Sequence, residues 1–135
     1  MTTEDRTNPA ARLGFQPGEV VQEIGHDDDV DQELREAIEE ITGQALVDED
    51  YDDVADVVLL WFRDGDGDPT DALVDAIGRL EDGGVIWFLT PKTGRDGYVE
   101  PSDIIEASQS AGLSQTKSIS ISKGWTGTRM VAPKR

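Results

Sequence analysis

The residues best suited to chemistry lie at the end of the first predicted strand of this sequence and in the turn after it. Glu23, Gly25, His26 and Asp27 lie together there, and His26 is the only histidine in the chain. A histidine beside a carboxylate can perform acid–base chemistry near neutral pH, although a lone histidine in a solvated loop is the commoner situation. Ligands of open α/β sheets bind at the carboxyl ends of strands, so these four residues are candidates for lining a pocket.

A second group of candidates follows the strand predicted at residues 85–89. Thr90, Lys92 and Arg95 belong to a segment that brings two cations and a glycine to the same edge of the sheet. This segment is either an exposed loop or a contact for an anion or a partner. Trp61 ends the preceding predicted strand. Aromatic residues of strands are usually core, but this one is also a candidate for lining the pocket.

The sequence predicts no metal site and no catalytic residue. Asp64, Asp66 and Asp68 alternate with glycines, as at the start of a calcium loop, but such a loop needs Gly at its sixth position and Glu at its twelfth. Pro69 and Asp75 stand at those positions. The chain has no cysteine, which removes disulfides, thiolate nucleophiles and zinc–thiolate sites and fits a reducing cytoplasm.

Charge is distributed very unevenly along the chain, whose net charge is −17. Residues 19–56 hold 16 acidic side chains and one basic one, whereas residues 92–135 hold seven basic and four acidic ones. The acidic half repels nucleic acids and anionic membranes, so neither is expected as a partner. It is either a solubilising surface or a docking face for a basic protein, with Glu33, Glu36 and Glu40 as the candidate contacts. A third hypothesis is mimicry of a nucleic acid.

Hydrophobic patterning predicts the elements that position these residues. Strands are expected where β-branched and aromatic residues dominate or apolar residues alternate, at residues 19–24, 45–47, 54–62, 85–89, 113–122 and 125–132. Helices are expected between capping residues and glycine stops, from Asp28 or Asp29 to a stop at Thr42-Gly43, from Asp68 or Thr70 to Leu80, and from Pro101 to Gly112. A turn at Gly83-Gly84 is expected to follow the second of these helices.

This element order predicts an α/β fold with a Rossmann-like, mainly parallel sheet, helices on both faces and a C-terminal antiparallel hairpin. The strands near residues 20–24, 55–62 and 85–90 should be adjacent and parallel. A chain of 135 residues suits one domain, here residues 12–135, preceded by a polar, flexible tail at residues 1–11. We expect a cytoplasmic protein, because the N-terminus lacks a signal peptide and no apolar run approaches the roughly 20 residues of a membrane span.

Three stretches resemble the later part of a class I S-adenosylmethionine-dependent methyltransferase. They look like the approach to its fourth strand, its helix–Gly-Gly–strand signature and its closing hairpin, and they lie at residues 50–59, 80–86 and 111–132. Residues 12–18 and 87–92, with Trp125, also resemble a compact bacterial domain-of-unknown-function family, the 3052 family. Its members look like shortened methyltransferase-like domains, so the resemblance implies the same Rossmann-like fold for residues 12–133.

The cofactor loop departs from the methyltransferase pattern. In that fold an acidic residue and then glycines follow the first strand, because the backbone must approach the ligand closely. Glu23-Ile24-Gly25 keeps the start of this pattern, but His26 to Asp29 adds bulk and three carboxylates, which would repel the carboxylate of the cofactor. Asp48 and Glu49 are only loose candidates for the acid that grips the ribose.

We therefore predict that no cofactor is bound and that the domain is non-catalytic, acting in protein interaction or regulation with a protein partner of basic character. The alternatives are a small-molecule-binding sensor and a methyltransferase with an atypical loop. The sequence does not identify the partner.

Overall fold

In a computed structural model of the chain, residues 13–132 are described, and they form five strands and three helices. Along the chain these are β1 Val21–Ile24, α1 Gln32–Thr42, β2 Ala55–Trp61, α2 Pro69–Ile77, β3 Leu80–Pro91, α3 Pro101–Ser110, β4 Ser114–Ser120 and β5 Trp125–Val131. The predicted tail at residues 1–11 lies outside the described residues. No helix within residues 13–132 is long and apolar enough to cross a membrane.

The strands form one sheet in the order β1-β2-β3-β5-β4. The first three are adjacent and parallel, and β5 is antiparallel to both β3 and β4. The predicted fold class is therefore confirmed, including its C-terminal antiparallel hairpin. The strand predicted at residues 45–47 is reduced to a single parallel bridge between Val47 and Gln22 at the outer edge of β1.

The core has two layers because β2 and β3 are buried on both faces of the sheet. Along β2, Leu59 contributes to the cluster that contains Leu34 and Ile38 of α1, whereas Leu60 contributes to the cluster that contains Leu73 of α2 and Ile104 of α3. Helices thus cover both faces, as predicted. Continuous apolar runs are typical of strands in this position, since neither face can be left to water.

Helix α1 begins later than predicted. Asp31, rather than Asp28 or Asp29, is its N-cap, and an Oδ1 atom of Asp31 accepts a hydrogen bond from the backbone N–H of Leu34 at 3.0 Å. The helix ends as predicted at Gly43, whose φ of +81° favours glycine. Helix α2 is capped by Asp68 through a hydrogen bond from the Thr70 N–H.

Helix α2 ends earlier than predicted, and the Gly83-Gly84 pair is not the turn that follows it. The helix stops at Ile77, and Leu80 already pairs with Ala55 of β2. The next pair is Val57 with Val85, so β3 has extra residues between the two pairs, which form a bulge. A Cβ atom on Gly84 would lie 3.1 Å from the backbone oxygen of Asp56, so the small residue permits this close approach.

Two neighbouring residues of α2 test the assignment of its buried face. Leu73 is fully buried, whereas Val74 is 53% exposed. We expect Leu73→Ala to lower the free energy of unfolding by about 2–5 kcal/mol, because it removes core contacts and leaves a cavity. Val74→Ala is the matched control and should change it by no more than about 0.5 kcal/mol. Urea unfolding followed by circular dichroism measures both, and equal losses would contradict the assignment.

Candidate functional site

The sheet has a topological switch point between β1 and β2. After β1 the chain passes to the outer edge of that strand, where Val47 bridges Gln22, and then returns to the other side to form β2. Open α/β sheets bind ligands beyond the carboxyl ends of their strands at such a point. A cleft of about 330 Å³ lies there. Its lining residues are Ile24, Gly25, His26, Asp27, Glu49, Leu60, Trp61, Phe62, Arg63, Asp66 and Ala72.

The structure brings together half of the predicted pocket residues and adds three charged ones. Gly25, His26, Asp27 and Trp61 line the cleft, and the side chains of His26 and Asp27 are exposed. Of these three, Glu49 was named only as a loose candidate for the acid that grips the ribose, and Arg63 and Asp66 were not assigned to the pocket. Arg63 could have been found by the rule that identified His26, because it follows β2 at the same carboxyl edge of the sheet. Asp66 depends on a loop conformation that has no such signal.

Arg63 bridges the two loops that border the cleft. Its Nη1 donates to the backbone oxygen of Gly25 at 2.7 Å, at the end of β1, and to that of Trp61 at 3.3 Å, at the end of β2. Its Nε donates to an oxygen of Asp29 at 3.0 Å, and its Nη2 makes a second contact with the same carboxylate. Asp66 lies 3.5 Å from Nη1. The guanidinium group of Arg63 is therefore committed to partners on both loops.

Trp125 contacts both members of the Asp29–Arg63 ion pair. Its indole is buried, packs edge-to-face against Trp61 with 4.8 Å between ring centroids, and donates from Nε1 to the backbone oxygen of Asp29 at 3.2 Å. The guanidinium carbon of Arg63 lies 5.3 Å from the ring centroid, and that of Arg95 lies 5.7 Å away. Both distances suit cation–π contacts. The C-terminal hairpin thus fixes the loop that follows β1.

The hydrogen bond from Arg63 holds the pKa of Asp29 below its ordinary value of 3.8. Partial burial opposes this shift, while the positive charges of Arg63 and Arg95 add to it. The Asp29 carboxylate is therefore ionised near neutral pH, and its ion pair with Arg63 is intact there.

Gly25 is required by the neighbouring strand. A Cβ atom at this position would lie 2.3 Å from the backbone oxygen of Trp61, and its φ of +81° is itself unfavourable for other residues. The N–H of Gly25 donates to an Oε2 atom of Glu49 at 2.9 Å. The absence of a side chain at Gly25 therefore allows its backbone to lie close to β2.

Glu23 lies beneath the cleft without lining it. It is 5% exposed, and its two carboxylate oxygens accept from Nε and Nη2 of Arg35 at 2.7 and 2.9 Å. The indole Nε1 of Trp61 donates to the same carboxylate at 2.8 Å. The hydrogen bond to Glu23 also raises the pKa of Arg35 above its ordinary value. A buried carboxylate with this many donors is typical of a structural ion pair.

The candidates after β3 do not face the cleft. Thr90 lines a different cavity, on the side of the sheet that α2 and α3 cover. Lys92 makes a close contact through Nζ with Ser120 Oγ of β4. Arg95 donates from Nη1 to the backbone oxygen of Gly124 at 2.6 Å and reaches the cleft only indirectly, through the Trp125 ring. The hairpin recruits this segment, and long-range contacts of that kind leave no local pattern in the sequence.

The remaining acidic candidates lie on α1 and in the calcium-like segment. Glu33, Glu36 and Glu40 are exposed on α1, off the buried stripe of that helix. In the calcium-like segment, Asp66 accepts from the N–H of Arg63 and Asp68 caps α2. Within residues 13–132 no group of three or more His, Cys, Asp or Glu side chains is placed to hold a metal ion.

The Asp29–Arg63 pair makes a testable contribution to acid stability. The pKa of Asp29 is lower in the folded state, so the pair stabilises the fold above the ordinary pKa of 3.8, and this contribution is lost as the pH falls below it. At pH 7, Asp29→Asn should lower the free energy of unfolding by about 0.5–1 kcal/mol, a small effect because this side chain is 42% exposed and water screens the pair.

The control for this variant is Asp64→Asn, which removes the same charge from an exposed loop position. Urea unfolding between pH 7 and pH 3 should show that the difference between wild type and Asp29→Asn shrinks as the pH falls. A difference that stays constant over this range, or that Asp64→Asn reproduces, would show that the ion pair does not stabilise the fold.

Comparisons with known proteins give a family and a fold. A family profile described as "Protein of unknown function (DUF3052)" matches residues 10–134. Among curated relatives, "Uncharacterized protein Rv2239c" of Mycobacterium tuberculosis strain H37Rv is 50% identical over 134 residues, which cover 99% of this chain and 84% of the relative. "Uncharacterized protein Mb2263c" of Mycobacterium bovis matches with the same identity and coverage.

Solved structures similar to this chain include several methyltransferases. A methyltransferase from Pyrococcus furiosus has a TM-score of 0.57 at 14% identity, over 98% of this chain and 84% of its own. A SAM-dependent methyltransferase from Aquifex aeolicus has a TM-score of 0.55 at 13% identity, over 94% of this chain and 92% of its own. An O-methyltransferase family protein from Burkholderia thailandensis reaches 0.61 at 13% identity, over 86% of this chain and 51% of its own. At these identities the likeness establishes the fold alone.

Proposed function

This chain belongs to the DUF3052 family, and we propose that it is a methyltransferase-like domain without catalytic activity that acts through protein interaction or regulation. The observation that carries the proposal is the Arg63 bridge. Arg63 ties the ends of β1 and β2 together at the switch point, where this fold binds ligands. An arginine already paired with Asp29 and Asp66 offers little to the carboxylate of an incoming cofactor.

The charges around the cleft also support a non-catalytic role. Asp27, Glu49 and Asp66 line it, with Arg63 as the only cation among its lining residues in the described part of the chain. The carboxylate end of S-adenosylmethionine would meet these like charges at close range, which costs binding energy. The volume of about 330 Å³ also lies near the lower end of the roughly 300–1,000 Å³ typical of ligand sites.

Titration calorimetry tests the non-catalytic part of the proposal. S-adenosylmethionine should give no heat signal that fits a micromolar dissociation constant, for the reasons of charge and pairing given above. His26→Ala is the matched variant, since His26 is an exposed lining residue whose removal should leave the fold intact. A micromolar signal for the wild type that His26→Ala abolishes would overturn the proposal and favour an enzyme or a small-molecule sensor.

A small-molecule sensor is the second candidate function, and one specific observation favours it. His26 and Asp27 remain exposed at the rim of the cleft, beside the switch point, with no ion pair between them and Arg63. A ligand without a carboxylate would avoid the repulsion that this group meets there.

The interaction part of the proposal rests on the outward side of α1. Leu34, Ala37 and Ile38 face the core, and Glu33, Glu36 and Glu40 lie on the exposed side of the helix. Together with its flanking loops the helix belongs to the acidic half of the chain, residues 19–56. A surface of one sign accelerates association with an oppositely charged partner, and salt weakens the effect because charges are screened over about 10 Å at 0.1 M ionic strength.

Charge reversal tests whether this surface binds a partner. In pull-downs at low salt, Glu33→Lys, Glu36→Lys and Glu40→Lys combined should abolish capture of a partner that the wild type retains. The control is Asp71→Lys, Glu81→Lys and Asp82→Lys combined, which changes the net charge equally at exposed positions elsewhere. Capture that survives the α1 reversal, or that both triple variants abolish alike, would reduce the acidic surface to a solubilising role.

A further inference from the structure

The sheet face covered by α2 and α3 changes from apolar to hydroxyl-bearing toward the carboxyl end of β3. The cross-strand pair Ile86–Met130 is buried and apolar, whereas the pair Thr90–Thr126 further along the same strands carries two hydroxyl groups. Between these pairs, Thr128 lies opposite Phe88. The row continues onto β4, where Ser118 pairs with Thr128. The hydroxyl groups therefore gather at one end of an otherwise apolar layer.

A cavity of about 200 Å³ lies over these hydroxyl groups, between the sheet and the start of α3. Apolar side chains form its other wall. Its lining residues are Thr90, Pro91, Thr93, Tyr98, Val99, Pro101, Ile104, Ile105, Gln115, Ser118, Thr126 and Thr128. None of these residues is charged, although 30% of the chain is. The cavity opens to solvent on one side, where the exposed lining residues are Thr93, Pro101, Ile105, Gln115 and Ser118.

Two of the hydroxyl groups have no partner within residues 13–132. Thr90 is 2% exposed and Thr128 is 1% exposed, and neither side chain makes a hydrogen bond within residues 13–132. The polar side-chain atoms that are both sealed from solvent and unpaired in this part of the chain are Gln22 Oε1 and Ser122 Oγ. The threonine hydroxyl oxygens are not sealed, so their remaining access is to the cavity that they line. Buried polar groups are normally paired, because leaving them unpaired is costly.

We propose that this cavity binds a small uncharged molecule with a single ring or a short aliphatic body and at least one hydrogen-bonding group. The neutral lining disfavours ions, since a charge placed beside the buried Thr90 and Thr128 would lose hydration with no opposite charge in return. A hydroxyl group both donates and accepts, so an alcohol, phenol, amide or carbonyl group can pair with Thr90 and Thr128. The site is distinct from the cleft at the switch point, with which it shares no lining residue.

The size of the cavity limits the ligand to about one ring. An apolar cavity of about 150 Å³ in another protein accommodates benzene. The present cavity, at about 200 Å³, has room for a ring and one polar substituent. The apolar side chains Val99, Ile104 and Ile105 would contact the ring, and the threonines would contact the substituent.

Benzyl alcohol is the probe, with benzoate and benzylammonium as its charged counterparts. In two-dimensional ¹H–¹⁵N NMR spectra of the full chain, benzyl alcohol at millimolar concentration should shift the amide signals of Thr90, Thr126 and Thr128. The two charged compounds should leave these signals in place. Absence of any shift with benzyl alcohol, equal shifts with the ions, or shifts confined to Gly25 and its neighbours would each overturn the proposal.

Threonine-to-valine variants separate binding from folding, because valine has nearly the shape of threonine without its hydroxyl group. Thr90→Val and Thr128→Val should each weaken binding of benzyl alcohol about two- to tenfold, the effect of one lost hydrogen bond. They should leave the melting temperature of the free protein nearly unchanged, because neither hydroxyl group makes a hydrogen bond within residues 13–132 that the variant would lose.

Thr42→Val is the matched control. Thr42 is 4% exposed, but its hydroxyl donates to the backbone oxygen of Gln44 at 3.2 Å. This variant should lower the melting temperature and leave the affinity for benzyl alcohol unchanged. Unchanged affinity in both Thr90→Val and Thr128→Val would show that the hydroxyl groups do not recognise the probe and would sink the proposal.

Discussion

The buried carboxylate of Glu23 sets the arrangement of the N-terminal half of the domain. It receives hydrogen bonds from Arg35 of α1 and from Trp61 of β2 while itself belonging to β1. Three elements are thereby held in one orientation by a single charged group. A buried carboxylate that loses its cation is left uncompensated, at a cost of about 3–5 kcal/mol. The loop that begins at Gly25, and with it the cleft, depends on this anchor.

The two tryptophans connect this anchor to the C-terminal hairpin. Trp61 donates to Glu23 and packs edge-to-face against Trp125, which in turn holds the backbone of Asp29. Arg63 lies against the same indole and forms an ion pair with Asp29, so it contacts both Trp125 and the loop that Trp125 holds. The loop after β1 is therefore fixed by residues from both ends of the domain. In a cofactor-binding protein of this fold the same loop must receive a ligand, whereas here it is already engaged.

The fold could be predicted from the sequence because its strands and helices follow from local residue patterns. Continuous apolar runs identified β2 and β3, and the Asp68-Pro69 and Gly43 signals marked ends of helices correctly. It misjudged Gly83-Gly84, since a glycine pair that relieves a bulge within a strand looks the same as one that forms a turn. It placed Gly25, His26, Asp27 and Trp61 in one cleft by the rule of strand ends. The sequence does not show that Glu23 forms an ion pair with Arg35, or that Thr90 faces the other side of the sheet. Both outcomes depend on packing between elements that are distant in the sequence.

The parallel pairing of β1 with β2 also has a consequence for how the chain acquires its structure during synthesis. Val20 and Asp56, which are joined by a hydrogen bond at the start of this pair, are 36 residues apart. At the roughly 5–20 residues per second of translation, β1 waits about two to seven seconds for its neighbour to be made. During that interval Glu23 lacks the hydrogen bond from Trp61, and the edge of β1 that later pairs with β2 is unpaired. The hairpin of β4 and β5, by contrast, joins segments that are made in immediate succession. The many carboxylates of residues 19–56 belong to the same stretch, and their mutual repulsion opposes association of nascent chains during this interval.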